Sequence, residues 1–170
     1  MTQASVITQA GAAAKPDDLR YLRRSIELAV QSRAQGNHPF AALIVAADGT
    51  VLVEALNRSV PGRGDATGHA ELEAVRTASA RCTPQVLRTS TLYTSAEPCA
   101  MCAGAIYWGG IGRVVYGLSE HRLLAETGNH PENPTLSLPC REVFARGQRS
   151  IEVEGPLLED EALQPHHGFW

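Results

Sequence analysis

The sequence predicts an α/β domain in which one mixed sheet carries helices on its faces. Three observations point there. Apolar residues recur at helical spacing after Pro16, two short apolar runs flank Asp48-Gly49, and helical segments then alternate with short strands. The resulting order, β-β-α-β-α-β-α-β, is that of an α/β layer architecture. At 170 residues the chain fits a single domain, 1–170, large enough to bury a core without disulfide or other staples.

Each element has its own signal. Met1 to Ala14 is small and polar, with neither a basic start followed by an apolar stretch nor an Arg-rich amphipathic pattern. It reads as a loose tail, residues 1–15, rather than a targeting peptide. Pro16-Asp17-Asp18 opens a helix with acids in the first turn, Leu19, Leu22, Ile26, Ala29 and Val30 repeat at helical spacing, and Gly36 ends it. Ala41 to Ala47 and Thr50 to Leu56 are strands joined by the Asp48-Gly49 hairpin signal. A Gly- and Pro-containing loop, Val60 to Gly68, leads into a helix from about His69 to Ala80. A strand at Thr91 to Ser95, a helix from Cys99 to about Trp108, a strand at Arg113 to Gly117 and a short helix at Glu120 to Thr127 follow. Gly128 to Pro139 reads as an ordered loop, Ser150 to Val153 as the last strand and Leu157 to Leu163 as a final helical turn. A tail, 164–170, ends in His166-His167-Gly168-Phe169-Trp170. Two terminal aromatics after a polar hinge make Phe169 and Trp170 candidates for a lid over an active site, this subunit's or a partner's, or for simple packing.

Composition narrows the function. A net charge of −3 with no Lys/Arg cluster argues against nucleic acid as the main partner, since binding a polyanion requires neutralising several phosphates together. No run approaches the ~20 apolar residues of a membrane span. Four cysteines in a chain of cytoplasmic character are better read as metal ligands or free thiols than as a disulfide framework.

Cys99-Ala100-Met101-Cys102 puts two thiols at i, i+3, on one helical face, so both can reach one ion. Pro98 suits the helix start, where the dipole favours thiolates. His69 opens another helix and supplies the third ligand. Glu71, two residues on and about 200° around a helix at ~100° per residue, is not a ligand in line with His69 but can approach the open side of the metal. Three protein ligands leave the fourth tetrahedral position of a zinc ion for water, which is the catalytic rather than the structural arrangement. A structural site would need a fourth ligand, for which Cys82 and Cys140 are the candidates. Glu71 would then serve as a general acid and base beside that water.

His69-Ala70-Glu71 with Pro98-Cys99-Ala100-Met101-Cys102 is the pattern of zinc deaminases, and the chain resembles the purine-acting branch of the cytidine deaminase-like superfamily, which includes bacterial guanine deaminases and tRNA adenosine deaminases. The likeness spans roughly Leu19 to Gly128 and adds Pro39-Phe40-Ala41-Ala42, Asn57-Arg58, Thr94-Ser95-Ala96-Glu97 and Ala103 to Trp108. It implies a three-layer α/β/α fold with a five-stranded mixed sheet whose last two strands are parallel, one Zn2+ per chain, a homodimer or larger assembly, and hydrolytic release of ammonia from a small nucleobase or nucleoside. It also implies substrate contacts: Phe40 against the ring, Asn57 hydrogen-bonding it, the Ala70 backbone N–H reading a ring carbonyl, Trp108 near the purine pocket, and Glu97 beside them. Asn57 is otherwise a turn residue, and Phe40 and Trp108 core aromatics.

The chain departs from the guanine-deaminase pattern after Glu126-Thr127-Gly128, where an acid is expected and Asn129-His130-Pro131 stands. Glu132 and His130 are the candidates to take its place. The acidic C-terminal part (Glu152, Glu154, Glu159, Asp160, Glu161) opposes an RNA-binding helix. The expected activity is therefore deamination of a guanine-type purine. The alternatives are a tRNA or other adenosine deaminase, a cytosine-type pyrimidine deaminase, and a non-catalytic zinc module.

Overall fold

The computed structural model describes residues 15–60, 62 and 64–170; the tail expected over Met1 to Ala14 lies outside them. Helix α1 (Asp18–Ala34) buries Leu22, Ile26 and Ala29 on one side, as the spacing requires. It stops where Gly36 takes a left-handed φ of 78°. Strands β1 (Ala41–Val45) and β2 (Val51–Leu56) form the hairpin. Its turn is wider than expected, because the Gly49 amide returns to the Ala46 carbonyl and Ala46 pairs with Thr50.

The remaining order is α2 (Ala70–Ser79), α3 (Pro84–Thr89), β3 (Thr91–Ala96), α4 (Ala100–Gly109), β4 (Arg113–Leu118), α5 (Glu120–Thr127), α6 (Cys140–Ala145), β5 (Glu152–Glu154) and α7 (Glu159–Leu163). A 3-10 turn over Gln164–His166 follows. Helices α3 and α6 have no counterpart in the sequence reading. Each is six residues long, too short to show a period, although Thr83-Pro84 at the start of α3 is a capping pair that marks it.

The five strands lie in the order β2-β1-β3-β4-β5. β1 runs antiparallel to β2 and β3, whereas β3, β4 and β5 are parallel. The all-buried run Ala41 to Val45 and the all-buried β4 sit inside the sheet, covered on both faces. The edge strand β2 alternates instead. The pleat sends Ala42, Ile44, Leu92 and Val114 into a core with Ala74, Val75, Ile106 and Phe144 from α2, α4 and α6. Leu43, Val45, Tyr93 and Val115 face Tyr21 and Leu22 of α1 on the other side, and Ala162 of α7 joins Ile26 and Leu118 there. This is a three-layer arrangement. No helix among the described residues is long and apolar enough to cross a membrane.

Asp18, expected only as a first-turn acid, is fully buried. Arg113 from β4 grips it with Nη1 and Nη2 at 2.7 and 2.9 Å, and the Tyr93 hydroxyl and the Lys15 amide donate to it as well. The contact joins α1 to β4 across 95 residues. Burial alone would raise the Asp18 carboxyl, but Arg113, the Lys15 amide and Tyr93 hold it below its ordinary 3.8. Removing one partner leaves the other charge buried, so Asp18→Asn is expected to cost about 3–5 kcal/mol in denaturant unfolding. Because the folded pKa is depressed, this stabilisation is complete above pH 3.8 and is lost as the pH falls through the folded value. The difference between wild type and Asp18→Asn is therefore expected to hold at neutral pH and narrow only in acid below 3.8.

Candidate functional site

Two helices begin side by side at one end of the sheet. His69 is the residue before α2, with extended φ and ψ of −71° and 147°, and Cys99 is the residue before α4, extended at −63° and 169°. The sequence reading placed each as the first residue of its helix; each is instead the cap. An extended cap turns its side chain back across the helix mouth, and the two helices pack together, so the caps meet. One ligand atom each from His69, Cys99 and Cys102 lies within 4.8 Å of the others. The Cys99 Sγ to His69 Nδ1 distance is 3.6 Å.

A tetrahedral zinc with S at about 2.3 Å and N at about 2.0–2.1 Å spaces those two atoms by about 3.6 Å, so the donor set fits that ion in type and in size. Among the described residues no other group of His, Cys, Asp or Glu has such a spacing. Cys82 is half-buried, Cys140 is buried, and all four cysteines are free.

The thiols share charge unequally. The hydrogen bond from Cys102, together with His69 and against the cost of burial, brings Cys99 down to about 4. Cys102 is pushed up by the Cys99 bond and by burial. His69 is raised chiefly by its bond to Cys99.

Glu71, in the first turn of α2, is buried. Its Oε1 accepts from the Thr94 hydroxyl at 3.0 Å and its Oε2 lies 3.6 Å from Cys102 Sγ. Thr94 reaches it because the even-numbered residues of β3 face α2. Burial pushes the Glu71 carboxyl above the ordinary value.

A cavity of about 430 Å³ opens over this group, and His69, Glu71 and Cys99 form part of its wall. Phe40 and Asn57 line it as well, as does the loop after α5 through Glu132, Asn133 and Leu136. Glu120, the first residue of α5, adds a carboxyl raised to about 7 by burial and by nearby Cys99 and carboxylates. Asn57 Oδ1 accepts from both the amide and the hydroxyl of Ser59, at 2.9 and 3.0 Å.

Other expected residues sit differently. Glu97 lines the cavity, yet its Oε2 accepts from the Glu120 amide and its Oε1 from the Cys140 amide, at 3.2 and 3.1 Å. This carboxylate therefore caps α5 and α6 together, and its oxygens are committed to the frame. Ala70 is fully buried between His69 and Glu71. Trp108 is 81% exposed at the far end of α4 and is not part of the cavity wall; α4 carries Cys102 inward and turns Trp108 outward.

The tail is no polar hinge. His166 is fully buried, stacked on Trp170 at 14° and accepting its indole N–H at 3.1 Å. Arg33 donates to the carbonyls of Pro165, His167 and Gly168. Trp170 packs on Phe40 and His38 of its own subunit, so the terminal aromatics back the cavity wall rather than line it.

Comparison with known proteins bears on this arrangement. Residues 15–118 match the family model described as the cytidine and deoxycytidylate deaminase zinc-binding region. A probable cytosine deaminase of Schizosaccharomyces pombe is 46% identical over 153 residues, 90% of this chain and 92% of that one. A guanine deaminase of Bacillus subtilis is 41% identical over 109 residues, 64% of this chain and 68% of its own. In structure, a guanine deaminase from Nitrosomonas europaea superimposes with a TM-score of 0.70 at 28% identity, covering 94% of this chain and 87% of that one.

The metal site makes a direct prediction. Purified protein is expected to carry about one zinc per chain by elemental analysis, given three protein ligands and a tetrahedral fit. His69→Ala, Cys99→Ser and Cys102→Ser each lose most of it, whereas Cys82→Ser and Cys140→Ser retain it. Equal loss from either of the latter two would contradict the three-ligand site.

Proposed function

Because the chain belongs to the cytidine and deoxycytidylate deaminase zinc-binding family, and is thus a zinc-dependent hydrolytic deaminase, we propose that it deaminates a free nucleobase of guanine type. The observation that carries this reading is that an amide and a carboxylate, those of Asn57 and Glu132, both line the cavity. Ser59 occupies Asn57 Oδ1 with two donors, which leaves the amide NH2 for the substrate side. Glu132 offers a carboxylate acceptor. A ring with an adjacent carbonyl and N–H matches that donor and acceptor. Guanine has both, in addition to its amino group. Adenosine has no ring N–H to offer Glu132. Phe40 supplies an apolar face for the ring, and the cavity has room for a bicyclic base. Glu132 thus takes the place of the acid missing after Gly128.

A zinc ion would be held by His69, Cys99 and Cys102 and would supply Lewis acidity that makes a water acidic enough to attack near neutral pH. The chain's own part is orientation and proton movement. Asn57 and Glu132 fix the ring in its plane, and Phe40 covers its face. Glu71, held by Thr94, takes one proton from the attacking water for the ring nitrogen and then the second, from the hydroxyl so formed, for the leaving amino group, so ammonia departs neutral as the carbonyl forms. The Ala70 N–H, beside Glu71, contributes a donor to a ring carbonyl.

A second reading has an observation of its own. The relative from Schizosaccharomyces pombe carries the name probable cytosine deaminase, and cytosine also presents a carbonyl beside a ring N–H. Ammonia release from a panel of free bases and nucleosides separates the two. Guanine is expected to be turned over fastest, nucleosides and a tRNA stem-loop poorly. Turnover of cytosine alone would replace the purine assignment and keep the chemistry. Glu71→Ala is expected to keep zinc and fold while losing roughly 10²–10⁴-fold or more in kcat. Glu132→Gln is expected to lower kcat/KM for the preferred base about 10- to 100-fold, as loss of a hydrogen bond to a charge does.

The active assembly in this reading is a cytoplasmic homodimer formed through α4. That helix is apolar on every side, yet it leaves Trp108 81% exposed, and beside Gly104, one turn away, there is open space. A second copy of the helix can approach over Gly104 and cover Trp108. Sedimentation is expected to show a dimer, and Trp108→Glu a monomer.

A further inference from the structure

Asn57, Glu132 and Phe40 are assigned to the ring of the substrate, so its departing amino group is still without an acceptor. Glu120 is a group on the cavity wall that the fold leaves open. It is the first residue of α5 and is half-buried. Its backbone amide is occupied, donating to Glu97 Oε2 at 3.2 Å. Its carboxyl, by contrast, accepts a hydrogen bond from no described residue. The polar side chains around it are committed elsewhere. Glu97 uses both oxygens as caps, Asn133 donates to Thr127 at 3.4 Å, and His69 meets Cys99. Among the described residues no Lys or Arg lines the cavity. The charges that act on Glu120 are those of Cys99, Glu97, Glu71 and His69, which places it beside the metal-binding group. A half-buried carboxyl among other acids, with no donor, costs the fold free energy. Proteins keep such groups chiefly where a ligand supplies what the chain does not.

We propose that the Glu120 carboxylate accepts an N–H of the substrate's amino group and holds that nitrogen as the C–N bond breaks. The inference rests on the proposed reading of the cavity as the seat of an amino-substituted ring. It is the same for guanine and for cytosine, since both carry the amino group on the carbon that water attacks. That carbon must lie beside the metal-binding group and Glu71, and its amino nitrogen lies there with it. Of the three glutamates there, Glu97 is committed to two amides and Glu71 to proton transfer, which leaves Glu120. Glu120 itself forms and breaks no covalent bond. Glu71 brings the second proton to the amino nitrogen, and the C–N electron pair leaves with that nitrogen as NH3. The hydroxyl oxygen, having lost its proton, becomes the carbonyl. As the nitrogen takes the proton it grows more positive and its N–H bonds become stronger donors. A carboxylate acceptor therefore stabilises the transition state more than the bound ground state.

The test uses full-length, zinc-loaded enzyme. Binding is measured by equilibrium dialysis in Glu71→Ala, with a base and with the same ring carrying hydrogen in place of the amino group. The pairs are guanine with hypoxanthine and cytosine with pyrimidin-2-one, and the pair used is the one whose amino member the wild type deaminates. Adding Glu120→Ala is expected to raise Kd for the amino member about tenfold or more, as loss of a hydrogen bond to a charge does. The partner without the amino group is expected to change by less than about threefold, because it makes no such contact. Glu120→Gln, made in the otherwise wild-type enzyme, keeps a neutral acceptor oxygen. It is expected to lower kcat about 10- to 100-fold with KM within about threefold, the pattern of a contact that strengthens in the transition state. Zinc content stays at the wild-type level in each variant. Equal weakening of both ring partners overturns the inference, as does wild-type kcat in Glu120→Gln. A lower melting temperature with unchanged discrimination between the partners also overturns it, by reducing Glu120 to the start of α5. If the wild type deaminates no free base, the reading of the cavity fails and takes this inference with it.

Discussion

The site depends on two helix beginnings being held against each other. α2 and α4 start at the same end of the sheet, and each is preceded by an extended residue that carries a metal-binding atom, His69 and Cys99. Everything else in the centre is one step from those caps. Cys102 is one turn into α4, and Glu71 is in the first turn of α2. A shift of either helix by one residue would separate the donors, so the packing of α2 on α4 is under geometric constraint. Gly109 shows how close it is: a Cβ there would fall 2.4 Å from Val75 Cγ1 of α2. The dipoles of the two helices also converge, which favours the thiolates that a divalent cation needs.

A second constraint acts on the far wall. Glu97 caps α5 and α6 with its two oxygens, so the residue just before the Pro-Cys pair also fixes the start of the helix that leads into the Glu132 loop. The start of α4 and the loop after α5 are thereby tied through one buried carboxylate. The Asp18–Arg113 pair does similar work on the opposite face, binding α1 to the central strand β4. The enzyme thus spends several buried charges on its frame, each satisfied by hydrogen bonds, and keeps Glu71 and Glu120 among carboxylates raised by burial at the cavity.

Three roles of acid follow from environment rather than residue type. Glu97 accepts two amides and serves the frame. Glu71 is buried with a single hydroxyl donor and a thiol neighbour, and serves proton transfer in the proposed reading. Glu132 is half-exposed on a loop and meets a histidine, and serves recognition in the proposed reading. Nothing in the composition separates these three glutamates; the partners that the fold brings to each do so.

The sequence by itself determined the elements that repeat and the chemistry that is local. The spacing of Leu22, Ile26 and Ala29, the Asp48-Gly49 turn and the alternation of strands and helices were enough for a mixed sheet between helices, and His-x-Glu with Pro-Cys-x-x-Cys was enough for a zinc centre, because a metal imposes its spacing on the chain close to the ligand. The structure moved His69 and Cys99 from the first helical position to the cap, where the extended backbone lets each side chain turn across the helix start. It supplied α3 and α6, which are too short to have a period. It took Trp108 to the surface, because α4 is apolar all round and its pattern cannot say which side is buried. What only the tertiary structure decided were the long-range contacts: Asp18 with Arg113, Glu97 with two helix starts, His38 with Glu132, and the tail against Phe40 and His38. Each pairs polar or aromatic residues separated by tens of positions, and no local period or motif encodes such a pairing; burial and the cost of leaving a polar group unpaired select it only once the chain has folded.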